Sequence, residues 1–243
     1  MTRYLSIPLA VISLLVWSGE NANAQLPPPN SAVPVTFSTL ALGRSISDLF
    51  YEDQGKPRPL QAQTGGLSQP YQRPKNGKLS IFRLAPPTPP ATDPTRVPVA
   101  SALLGNEGPY LVLLTTAGED EAQPGSVTAE VLDDSWATHP LRTFRVINFS
   151  KRTTAVQLAN ANQVIPSRQA HVFPLQGEAY DFDFKVAALE NDGWILRVVS
   201  PQSIIPRTRA TVIIADPIPT PLDPHPVDLN VFTFYDSSQP PKP

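Results

Sequence analysis

The nine residues RTFRVINFS, Arg142 to Ser150, read as a β-strand that opens the second of two similar halves. Side chains alternate between the two faces of a strand, so Phe144, Val146 and Asn148 fall on one side and Arg145, Ile147 and Phe149 on the other. The same period of two is clearest in EAYDFDFKVA, Glu178 to Ala187. There Tyr180, Phe182, Phe184 and Val186 face one way, and Asp181, Asp183 and Lys185 the other. Turn signals punctuate such runs. Asn191-Asp192-Gly193 precedes WILRVV (194–199), and Asn76-Gly77 precedes LSIFRL (79–84), a pattern that predicts a hairpin. YLVLLT (110–115) and RATVIIA (209–215) are almost continuously apolar, as strands buried on both faces are.

The halves match in order. VTFSTLAL (35–42) corresponds to FRVINFS, ISDLFY (46–51) to TAVQL (154–158), LSIFR to WILR, and PYLVLLT to RATVIIAD. Short strands at regular spacing, without a helical period, predict an all-β fold of two tandem immunoglobulin-like β-sandwich units. The units are placed at 35–117 and 126–216, around an acidic linker, GEDEAQPG (118–125). Residues 217–243 form a proline-rich, partly disordered tail with one strand-like run, DLNVFTFYD (228–236). Ala85 to Pro98 carries six prolines and reads as a long irregular surface loop.

The chain has 30 prolines among 243 residues, more than double the usual share of about 5%. That content opposes helices and favours short strands joined by stiff loops, while 41% hydrophobic residues is too many for a disordered chain. No cysteine is present, which excludes disulfides, thiol catalysis and thiolate metal sites. A net charge of −2 gives no electrostatic case for nucleic acid or an anionic membrane.

Residues 1–24 read as a signal peptide. Arg3 is the positive start, Tyr4 to Trp17 the apolar run, and Ala22-Asn23-Ala24 the small-x-small site, with cleavage expected after Ala24. A stiff proline-rich leader, QLPPPNSAVP (25–34), follows. The expected location is the periplasm, the cell surface or the medium, with no membrane segment left after cleavage. In size and plan, a two-unit, exported, cysteine-free chain resembles the periplasmic pilus chaperones. The resemblance is architectural and carries over no functional residue.

No catalytic motif is present, and the three histidines, His139, His171 and His225, have no metal-ligand spacing. The chain is therefore expected to be non-enzymatic, to need no cofactor or metal, and to act as a scaffold or protein-binding module of the bacterial cell envelope, its partner being another envelope or secreted protein. One alternative is a carbohydrate-binding module or glycan-active enzyme, with Trp136 as the stacking residue and Asp133, Asp134, Tyr51 or Tyr71 beside it. Another is a structural subunit that assembles by adding its tail strand to a partner's sheet, through Val231, Phe232, Phe234 and Tyr235. Asn148-Phe149-Ser150 matches a glycosylation acceptor but lies in a strand, where use is not expected.

Overall fold

Alternating and doubly apolar segments of this kind gain free energy only when sheets stack over them, and the protein is built that way. The computed structural model describes residues 35–74, 76–87, 93–116, 126–175, 181–203 and 207–237. The expected signal peptide, the leader, the acidic linker, and Glu178 with Tyr180 lie outside the described residues. The described residues all lie in one compact unit, Pro34–Pro243. They are all-β, in four four-stranded sheets that fall into two groups.

The first group contains β1 (Thr36–Leu42), β2 (Ile46–Asp53), β3 (Lys56–Ala62), β4 (Tyr71–Gln72), β5 (Lys78–Ala85), β6 (Thr95–Leu103), β7 (Tyr110–Thr116) and β8 (Val127–Asp133). The second contains β9 (Thr143–Asn148), β10 (Thr154–Leu158), β11 (Ala161–Ile165), β12 (Ala170–Pro174), β13 (Asp181–Glu190), β14 (Gly193–Ser203), β15 (Arg209–Ala215) and β16 (Asn230–Asp236). The sheet orders are β4-β1-β7-β8 and β3-β2-β5-β6 in the first group, and β12-β9-β15-β16 and β11-β10-β13-β14 in the second. Adding eight to every strand number of the first group gives the second. The match extends to detail: β1 with β7 and β9 with β15 are both parallel.

Each group has its own core. Phe37, Leu49, Tyr51, Leu79, Ile81, Val112 and Leu114 fill the first, and Phe144, Val146, Val156, Phe184, Val186, Val212 and Ile214 the second. A third cluster joins the groups, because Leu40, Leu42, Leu111 and Leu113 on the far face of β1 and β7 meet Ile213 and Phe234 on the far face of β15 and β16. That contact explains the nearly continuous apolar runs of β7 and β15. Each strand covers its own core with one face and the neighbouring group with the other.

Several sequence expectations change. β8 pairs along its length with β7, and the tail strand β16 with β15, so each set of eight closes on a strand that the sequence reading put in the next segment. The proline-rich stretch is not irregular throughout: Thr95 to Pro98 already belong to β6. β6 is an edge strand and Pro98 follows a register shift, the two settings in which a missing N–H is tolerated. Asn76-Gly77 closes no hairpin, since β4 pairs with β1 whereas β5 pairs with β2 and β6. Its turn instead carries the chain between sheets, with Gly77 at φ 73° and its carbonyl accepting from Leu104 N–H. Asp192-Gly193, by contrast, does close the β13–β14 hairpin. LSIFR (β5) therefore corresponds to β13 and not to WILR, whose counterpart is β6.

Candidate functional site

The chain crosses from one group to the other through Asp134 to Arg142, and two arginines fix this crossing. Arg145 on β9 and Arg209 on β15 point away from the second core and are both buried. Arg209 uses all of its donors. Nε gives a 2.9 Å bond to Asp236, Nη1 gives 2.8 Å bonds to the carbonyls of Asp134 and His139, and Nη2 lies 3.2 Å from Asp134 Oδ2 and 2.8 Å from Asp236. Arg145 donates to the Asp133 carbonyl at 2.7 Å and to Asp134 Oδ1 at 2.6 Å. His139 is buried with Nε2 donating to the Ala210 carbonyl at 3.0 Å and Nδ1 3.1 Å from Asp134. Burial pulls the His139 pKa below its ordinary 6.5, and the neighbouring arginines add to this against the pull of Asp134.

Burial works against ionisation of Asp133, but the Thr138 hydroxyl, Ser135 and Arg145 outweigh it and hold the carboxyl below its ordinary 3.8. Asp216 behaves alike: bonds from Lys151 N–H, the Ser150 hydroxyl and Arg152 overcome its burial. The pH dependence follows by linkage. A histidine with a lowered folded-state pKa leaves the unfolded chain holding the extra proton, so stability falls as pH drops below about 6.5. Carboxyls with depressed values stabilise above about 3.9 and lose that contribution as pH falls further. Urea midpoints measured from pH 8 to pH 3 should therefore be flat at the top and decline in two stages, and His139→Gln should remove the upper one. A midpoint that rises between pH 7 and pH 5 would contradict this.

These contacts place the sequence-derived candidates. Trp136 lies over Arg209, whose guanidinium is 4.0 Å from the ring centroid, so one indole face is taken. Asp133 and Asp134 are spent on the crossing, and Tyr51 is buried in the first core against Phe37 and Tyr71. The tail-strand residues sit in the chain's own sheet. Phe234 and Phe232 pack between the groups, Val231 against the second core, and the Tyr235 hydroxyl donates to Gln202 and to the Ser203 carbonyl. Arg152 holds the chain entering this strand by donating to the carbonyls of Val227 and Asp228 at 2.7 and 3.0 Å. Asn148 is fully buried, with its amide donating to Arg152 and Ile165 carbonyls, and is closed to glycosylation.

The feature that sequence reasoning missed lies on the outer face of β11-β10-β13-β14. One cross-strand row there is apolar from edge to edge, Val164–Ala155–Ala187–Leu196, each residue directly opposite the next. Leu189 and Trp194 form a second pair beside it, and Val199 a third position. Trp194 is 48% exposed, Leu196 58% and Val199 55%. The two alanines leave a depression of about 420 Å³, rimmed by Gln157, Asn162, Gln163 and Lys185. Apolar side chains at both phases of WILRVV, in a strand at a sheet edge, were the available signal.

No protein-family model matches this chain, and no curated protein matches it either.

Proposed function

We propose that the chain is an exported, non-enzymatic protein of the bacterial cell envelope, built from two immunoglobulin-like β-sandwich units and acting as a scaffold or protein-binding module. The observation that carries the reading is the apolar row on the outer sheet of the second group, which the described residues leave exposed at Val164 and Leu196. Contiguous exposed apolar surface of this kind marks interaction sites more often than it occurs by chance on a monomer. The N-terminal pattern of residues 1–24 supports export. The acids that a glycan-active reading would use are engaged within the crossing, Asp133 with Ser135 and Thr138 and Asp134 with Arg145 and Arg209, which favours the binding reading. The tail strand is already paired with β15, so assembly by tail insertion gains no support.

In-cell cross-linking of the full chain followed by mass spectrometry should recover one envelope protein reproducibly, and the mature N-terminus should be Gln25. Failure to recover a specific partner, together with saturable glycan binding lost in Trp136→Ala, would favour the carbohydrate reading instead.

A further inference from the structure

We propose that the depression over Ala155 and Ala187 receives two aromatic side chains carried by an extended segment of a partner protein. The assignment rests on the protein-binding reading above and comes from comparing the two groups residue by residue. In the first group the outer-sheet row is Pro59–Phe50–Phe82–Pro98. In the second it is Val164–Ala155–Ala187–Leu196. A register shift fixes the correspondence: it falls between Ile81 and Phe82 in β5 and between Val186 and Ala187 in β13. Phe50 therefore answers to Ala155, and Phe82 to Ala187.

In the first group the two phenyl rings stack with centroids 6.3 Å apart, and Arg96 covers Phe82 at 5.1 Å while pairing with Glu52. Phe82 is thereby reduced to 4% exposure. The chain thus covers this position itself. In the second group both rings are missing, and the position of Arg96, opposite Leu84, is taken by Trp194, opposite Leu189. An indole there suits an incoming ring, because aromatic pairs gain from edge-to-face or offset contact.

The spacing favours an extended segment. Side chains two apart on one face of a strand recur about every 6.6 Å, close to the 6.3 Å that separates the first group's rings. A Phe-x-Phe sequence lying along the row, across the strands, would set its rings over Ala155 and Ala187. Gln157, Asn162 and Gln163 on the rim supply amide donors and acceptors for its backbone.

The test is calorimetric titration of the full chain with the peptide acetyl-Gly-Ser-Phe-Thr-Phe-Ser-Gly-amide, and with the same peptide carrying Ala at both Phe positions. Saturable one-to-one binding is expected for the first peptide and at least tenfold weaker binding for the second. The double variant Ala155→Phe/Ala187→Phe, which fills the depression as the first group is filled, should also bind at least tenfold more weakly while keeping the far-ultraviolet circular dichroism of the parent. Should that variant misfold, Leu196→Glu, at an exposed wall position, should produce the same loss. Equal binding of both peptides, or undiminished binding by the folded variants, would overturn the proposal. So would a parent dimer that the filled variant loses while the peptide fails to bind, which would assign the face to self-association. A partner still recovered by cross-linking when the peptide fails overturns this assignment alone, whereas peptide binding with no envelope partner overturns the envelope reading alone.

Discussion

Asp134→Ala should destabilise the protein by about 3–5 kcal/mol, the range for removing one partner of a buried ion pair. The carboxylate accepts from Arg145 at 2.6 Å, lies 3.2 Å from Arg209 Nη2, and faces His139 at 3.1 Å. Without it Arg145 loses the carboxylate it bonds, while Arg209 keeps Asp236 and two carbonyls. Desolvation of the unpaired guanidinium, already left with an unbonded buried Nε, makes the cost large. Urea unfolding of parent and variant gives the difference directly. A change below about 1 kcal/mol, the scale of an exposed pair, would mean that the crossing is solvated. The intact cluster need not be a net stabiliser, because replacing a buried charge network with apolar residues is often neutral. What it does supply is a fixed seat for the crossing, since the two arginines together hold the Asp133, Asp134 and His139 carbonyls and the Asp134 carboxylate.

Leu113→Asp should separate the unfolding of the two groups. Leu113 is fully buried on the face of β7 that meets Ile213 and Phe234. Truncating such a side chain costs about 2–5 kcal/mol, and an unpaired carboxylate adds a further penalty. Each group has a core of its own, so relief comes from parting the groups. Denaturation followed by Trp136 and Trp194 fluorescence and by circular dichroism should then show two transitions. Val112→Asp, one residue away, points into the first core and should unfold that group selectively. A single coincident transition for Leu113→Asp would show that the cores depend on each other more than their separate clustering implies.

Much of the fold was legible because its signals are local. Period-two alternation at Phe184 and Val186, and doubly apolar runs at Leu111 to Leu114 and Ala210 to Ile214, follow from which faces are covered, and the structure buries those residues. Pairing was harder to read. Asn-Gly at 76–77 carries turn chemistry that serves a hairpin or a sheet-to-sheet crossing equally well, and assuming the hairpin matched β5 to the wrong strand of the second half. Ser126 to Leu132 and the tail run are strands in either reading. Only their hydrogen bonds to β7 and β15 show which group each completes.

The candidate site was less legible still. Ala155 and Ala187 are unremarkable in sequence and lie 32 positions apart. Their meaning appears only when cross-strand register sets them beside each other, at the positions that Phe50 and Phe82 hold in the first group. In sequence Trp136 stands as an isolated aromatic just after the acids Asp133 and Asp134. Its surroundings show a side chain lying over a buried arginine.

On the reading proposed above, the second group presents a face shaped for aromatic side chains. That reading is tested most directly by methyl-labelled nuclear magnetic resonance of the full chain with the Phe-Thr-Phe peptide. Intermolecular Overhauser contacts are expected from the phenyl protons to the methyls of Ala155, Ala187, Val164 and Leu196. Contacts confined to other surfaces, or unchanged Ala155 and Ala187 resonances at saturating peptide, would contradict it.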